Sequence, residues 1–159
     1  MMKNKFISFE GVDGVGKTTQ INLFLEKLKK SNFDYQLYRE PGGTSLSERI
    51  REILLNNDND ISSITETLLF LSARSDLINK KIIPSVEKGK SFIVCDRFFD
   101  STLAYQSYGR GINIDLVKKI TEEILQNYIP STTFLLDCDI DLSLSRLNSK
   151  DRMESSGLE

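Results

Sequence analysis

Residues 6–20 read FISFEGVDGVGKTTQ, and their order decides the fold. A short apolar run at 6–9 breaks into glycines, and an amphipathic helical pattern follows at once. Gly11, Val12, Asp13, Gly14, Val15, Gly16, Lys17 and Thr18 fit the pattern G-x-x-x-x-G-K-[ST] in the strand-to-helix context that gives it meaning. The glycines permit backbone angles that other residues resist. Their N–H groups then converge as an anion nest at the positive end of the next helix. Lys17 supplies a mobile charge for the β and γ phosphates, and the Thr18 hydroxyl suits Mg²⁺. With Thr19, residues 11–19 form the expected nucleotide-binding set. Asp13 does not fit so simply, because it places a carboxylate in a loop built to hold anions.

Outward from this loop, extended and helical segments alternate. Helix is predicted over 18–30, with Ile21, Phe24, Leu25 and Leu28 on one stripe, and a second strand over 35–38. A helix over 45–56 has Ser45 available as its cap. A longer helix over 64–81 is expected to stop near Pro84. SFIVC, 91–95, reads as an apolar strand, 114–126 as an amphipathic helix, 133–136 as another buried strand, and 141–147 as the start of a further helix. Short, continuously apolar strands suit a parallel sheet covered on both faces. The expected fold is one α/β domain over residues 1–159, a three-layer P-loop sandwich.

Composition narrows the chemistry. The chain has 159 residues and a formal charge of -2, which argues against a nucleic-acid surface. Histidine is absent, so His-based acid–base, triad and metal chemistry is excluded. Cys95 and Cys138 lie in apolar runs without metal-ligand spacing and read as buried thiols of a reducing cytosol. No secretory segment or long apolar span is visible, so a cytoplasmic protein without membrane attachment is expected. A signalling GTPase is disfavoured: the DxxG pattern lies inside the loop itself, and Asn79-Lys80-Lys81-Ile82 lacks the aspartate that reads guanine.

A second constellation follows the strand at 91–95, in SFIVCDRFFDSTLAYQ, 91–106. In open parallel sheets ligands bind outside the carboxyl ends of the strands. Asp96 and Arg97 should therefore lie beside the phosphate loop, the aspartate holding Mg²⁺ through water or positioning the attacking group, and the arginine on a phosphate. The second strand likewise ends in YREPGGT, 38–44, so Arg39 reaches the same edge and joins Arg97 as a clamp. Phe70 and Arg74 are four residues apart and share a helix face, an aromatic plane beside a donor that can stack on a base and read its carbonyl.

Taken together, FEGVDGVGKTT, REPGGT, LLFLSARSDL, DRFFDSTLAYQSYGRG and DRME resemble thymidylate kinases of the bacterial type, over essentially the whole chain. The resemblance implies transfer of the ATP γ-phosphoryl group to dTMP with Mg²⁺. It implies that Lys17 and the loop amides hold ATP, and that Thr18 and Asp96 serve the metal. Arg97 and Arg39 would hold the acceptor phosphate, and Asp13 would accept a hydrogen bond from the dTMP 3′-hydroxyl. Phe70 would stack on thymine with Arg74 on its O4. Thr102 and Gln106 would lie along the base, Pro41 near its methyl, and Tyr105 against the sugar.

Some relatives carry an arginine inside the phosphate loop. Here that position is Gly14, so the resemblance assigns the compensating cation to a lid at about 146–156, with Arg152 chosen over Arg146 and Lys150. It also implies a homodimer, with 64–77 as a candidate face, and further C-terminal helices and a last strand that this sequence does not contain. Two alternatives stay open at this stage: a related kinase for another nucleoside or nucleotide, and a nucleotide-binding protein without turnover.

Overall fold

A computed structural model describes residues 5–89 and 91–146. Its strands are β1 (Phe6–Glu10), β2 (Tyr35–Arg39), β3 (Phe92–Asp96) and β4 (Thr132–Leu135), all parallel in the order β2-β3-β1-β4. The helices are α1 (Lys17–Lys30), α2 (Ser45–Leu55), α3 (Ser63–Leu77), α4 (Ile83–Lys88), α5 (Phe99–Thr102), α6 (Ile114–Leu125) and α7 (Ile140–Ser145). Wide π-helical turns, Ile78–Ile82 and Leu103–Gly109, join α3 to α4 and extend α5.

Alternation along the two central strands builds the layers. Ile7, Phe9, Phe92 and Val94 face one side, against Ile21, Leu25 and Leu28 of α1. Phe6, Ile93 and Cys95 face the other, against Leu77, Ile78, Ile82, Phe98 and Leu125. Both faces of β1 are thus covered, as a continuously apolar strand requires. A satellite core of Ile50, Leu54 and Ala73 ties α2 to α3 and holds Phe70 at its margin.

Four expectations are corrected. Cys95 is buried as expected, but Cys138, after β4, is only half-buried, its Sγ 3.0 Å from the Ser143 hydroxyl. Thr44, not Ser45, caps α2: its hydroxyl accepts from the Ser47 N–H at 3.1 Å. The long helix does not stop before Pro84 but runs on to Lys88. The Ile83 N–H donates to the Ile78 carbonyl, an i→i+5 bond, so the ladder widens just ahead of the proline, and Pro84 sits in the first turn of α4 where its missing N–H matters least. β4 is not buried. It is an edge strand, with Phe134 43% and Leu135 75% exposed, because β1 pairs with one of its edges and the described helices leave the rest open. β2, the opposite edge, also alternates between exposed and half-buried residues.

Candidate active site

Register brings the strand ends abreast. Arg39 and Phe9 both pair with Asp96, so the loops after β1, β2 and β3 leave the sheet together. They enclose an open cleft of about 1000 Å³ and a narrower cavity of about 120 Å³. Asp13, Glu40, Arg51 and Arg97 line both, which places the two spaces side by side across these four residues.

The phosphate loop borders the larger cleft. Gly16 caps α1 at φ 102°, a left-handed angle that leaves the helix N–H groups open without a side-chain cap. Lys17 is buried and folded over the loop, its Nζ donating to the carbonyls of Gly11 and Val12, both at 2.9 Å, and lying 3.4 Å from an Asp13 oxygen. Burial and the nearby Arg97 charge lower its pKa. Thr18, Thr19 and Asp96 line the same cleft. The Asp96 Oδ1 is buried and accepts no hydrogen bond among the described residues, and burial raises its pKa. A carboxylate oxygen left without a donor beside a phosphate loop fits a cation ligand, so the residues present suit Mg²⁺.

Asp13 turns its carboxylate toward cations rather than toward the nest. Its Oδ1 takes the Arg97 Nη2 at 2.5 Å and faces Lys17. Burial alone would raise its pKa, but the Arg97 and Lys17 charges more than reverse this and hold it below the usual carboxylate range. Arg97 itself stands at φ 66°, a conformation a bulky residue adopts only when its surroundings enforce it. Its N–H donates to the Phe9 carbonyl at 2.9 Å, its Nη1 to the Ser101 hydroxyl at 3.0 Å, and its guanidinium lies 5.4 Å from the Tyr105 ring.

Around the smaller cavity stand Asp13, Pro41, Phe70, Arg74, Arg97, Thr102, Tyr105 and Gln106, every acceptor-side residue expected from sequence except Arg39. Arg74 is buried. It binds Glu40 through Nε at 2.7 Å, and its Nη2 reaches the Phe98 carbonyl at 3.0 Å and the Thr102 hydroxyl at 2.8 Å. Its Nη1 has no partner among the described residues. Arg39 instead lines the larger cleft, half-exposed, with Glu48 at 3.2 Å. Arg146 donates to the Gly14 carbonyl at 3.2 Å. Lys150 and Arg152 lie outside the described residues.

Sequence reasoning missed Glu10, Glu40 and Arg51. Glu10 ends β1, buried, and accepts from the Phe98 N–H at 2.7 Å and the Ser101 hydroxyl at 2.6 Å, so it fixes the turn that carries Arg97. Glu40 is the partner of Arg74. The strand-end argument that singled out Asp96 applies equally to Glu10 and nearly to Glu40, and would have found both. Arg51, which donates to the Pro41 carbonyl at 3.0 Å, carries no signal in the helical pattern of α2.

The family model for thymidylate kinase matches residues 9–159. A thymidylate kinase of Caldanaerobacter subterraneus subsp. tengcongensis is 44% identical over 99% of this chain and 76% of its own length. One from Clostridium novyi is 40% identical over all of this chain and 78% of its own. The crystal structure of thymidylate kinase from Ehrlichia chaffeensis superposes with a TM-score of 0.79 at 40% identity, over 89% of this chain and 80% of that one. Among the described residues no helix is long and apolar enough to cross a membrane.

Proposed function

The chain belongs to the thymidylate kinase family, and from that premise we propose how its residues divide the transfer of the ATP γ-phosphoryl group to dTMP. The activity is that of an ATP-dependent nucleoside monophosphate kinase, giving dTDP and ADP. Such a transfer needs alignment and positive charge more than covalent help from the protein. The loop amides of 11–19 and Lys17 take the donor phosphates in the larger cleft. Thr18 and Asp96 would hold Mg²⁺, which would supply positive charge to the transferred group. The smaller cavity takes dTMP: Phe70 stacks on the base, Arg74 offers its free Nη1 to the 4-carbonyl, and Tyr105 packs on the sugar. Pro41, Thr102 and Gln106 line the base. Asp13 takes the 3′-hydroxyl. Arg97 holds the acceptor phosphate at the junction, with Arg51 beside it and Arg39 within the donor cleft.

The observation that carries this division is that Asp13 and Arg97 line both spaces, so the acceptor phosphate held there faces the donor cleft. Arg97→Ala removes the charged donor assigned to the acceptor phosphate and leaves Lys17 and the loop amides in place on the donor side. The expected result is a KM for dTMP raised about 10- to 100-fold, as loss of a charge-assisted hydrogen bond implies, with ATP affinity by calorimetry kept within a few-fold. Equal loss of both ligands would overturn the division.

Arg152 as the lid cation, on a lid spanning 146–156 of a single 1–159 domain, is part of the same reading. Arg146, already against the loop, is the nearest described alternative. We also propose a cytoplasmic homodimer. Its support is an apolar face on three neighbouring helices, with Leu46 and Ile53 of α2, Ile64 and Leu68 of α3 and Leu116 of α6 each more than two-fifths exposed. Leu68→Asp places a charge on that face, at the most exposed of the five. Light scattering should then report the monomer where the parent gives the dimer; an unchanged dimer would move the interface elsewhere.

A further inference from the structure

Gln106 sits in the second π-helical turn and lines the smaller cavity, yet its amide nitrogen is turned away from that cavity. Nε2 donates to Oε1 of Glu66 at 3.0 Å, and Glu66 is fully buried on α3 and does not line the cavity. Arg110, at the end of the same π turn, grips that carboxylate with both arms of its fork: Nε lies 3.3 Å from Oε1 and Nη2 3.2 Å from Oε2.

A carboxylate accepts hydrogen bonds and donates none. Glu66, paired with Arg110, therefore admits only the nitrogen end of the Gln106 amide. The amide cannot turn over without setting its oxygen against the carboxylate. Its own Oε1 accepts no hydrogen bond among the described residues, and it is the branch left to the cavity. On the same cavity Arg74 keeps a buried donor, Nη1, without a partner.

We propose that Glu66 and Arg110 are positioning residues that lock the Gln106 amide with its oxygen toward the base, and so make the pocket reject cytosine. The inference rests on the smaller cavity being the base site. Thymine presents a carbonyl at position 4 and an N–H at position 3. A donor from Arg74 and an acceptor from Gln106 match that pair. Cytosine presents an amino group and a bare ring nitrogen, the reverse pair, and would leave two buried polar groups unpaired on each side. A free amide would turn over and half-accommodate cytosine. The locked one does not.

Glu66→Gln keeps the size of the side chain but can both donate and accept, so the Gln106 amide is released. In steady-state assays the ratio of kcat/KM for dTMP to that for dCMP should fall about 10-fold or more, through a gain with dCMP. Arg110→Lys keeps a cation on the carboxylate and should retain the parent ratio. If Glu66→Gln does not fold, Arg110→Gln loosens the same lock from a more exposed position and should narrow the ratio in the same sense. A ratio unchanged in Glu66→Gln and Arg110→Gln, or equal losses with both nucleotides, would overturn the lock. Gln106→Leu separates the premise from the inference. If it leaves kcat/KM for dTMP untouched, the base site itself is misplaced. If it impairs dTMP while Glu66→Gln leaves the ratio alone, only the lock is wrong.

Discussion

Lys17→Met is expected to lower kcat about 10³-fold while leaving the protein folded and no less stable. The kinetic loss follows from removing the one mobile cation of the phosphate loop, where charge develops on the transferred group in a partly desolvated cleft. The stability expectation follows from a different observation. Lys17 is 7% exposed, and burial with the adjacent Arg97 charge depresses its pKa, so its charged form is held at a cost. Methionine keeps the stem and removes that cost. Asp13 is not orphaned, because Arg97 still pairs with it. Single-turnover phosphoryl transfer and a thermal melt, made on the same preparation, test both halves. A kcat within 10-fold of the parent would end the assigned role of Lys17. A large fall in melting temperature would mean that its bonds to the Gly11 and Val12 carbonyls hold the loop itself.

Glu40→Ala should be the most damaging substitution for the fold, destabilising by about 3–5 kcal/mol as removal of one partner from a buried ion pair does. Arg74 would keep its bonds to the Phe98 carbonyl and Thr102 but lose, in a buried setting, the only carboxylate that it touches among the described residues. Glu40 is under strain of its own: burial raises its pKa against the pull of Arg74, and its Oε1 has no partner among the described residues. The pair therefore serves placement of Arg74 at the expense of stability. That view makes a second, sharper expectation. Glu40→Leu combined with Arg74→Met should recover most of the stability lost by Glu40→Ala, since two apolar groups replace a costly pair, yet should leave dTMP turnover as poor as in the single variant. Denaturant unfolding and kcat/KM for dTMP read the two effects separately. A double variant still unstable by several kcal/mol would show the ion pair to be a net support of the fold.

The parts legible in the sequence were those where one local pattern has one physical meaning. The phosphate loop, the parallel strands and the strand-end position of Asp96 and Arg97 are of this kind. Phe70 with Arg74 was legible as a face, and the cavity confirms their common side. Four things were not. β4 reads as a core strand because Phe134, Leu135 and Leu136 are apolar, but apolarity does not say whether neighbours cover a strand. Pro84 reads as a stop because a widened turn just before it leaves no mark in composition. Glu10, Glu40 and Glu66 read as ordinary acids, since the groups that justify their burial, the Phe98 N–H and Ser101 hydroxyl for Glu10, Arg74 for Glu40 and Arg110 for Glu66, are distant in sequence. Arg39 was placed at the right edge but, without the α2 packing, its attraction to Glu48 was invisible.

Gly14 carries one more consequence. A Cβ at this position would lie 2.3 Å from the backbone oxygen of Ser143, and Arg146 just beyond ties α7 to the Gly14 carbonyl. An arginine in the loop and α7 in its present seat are therefore mutually exclusive. An ancestor exchanging one source of positive charge for the other could not do so by a single codon change at position 14. The helix would have to retreat first, or in the same step. Backbone crowding thus separates the two arrangements by a coordinated change, and it is sterics rather than chemistry that stands between them.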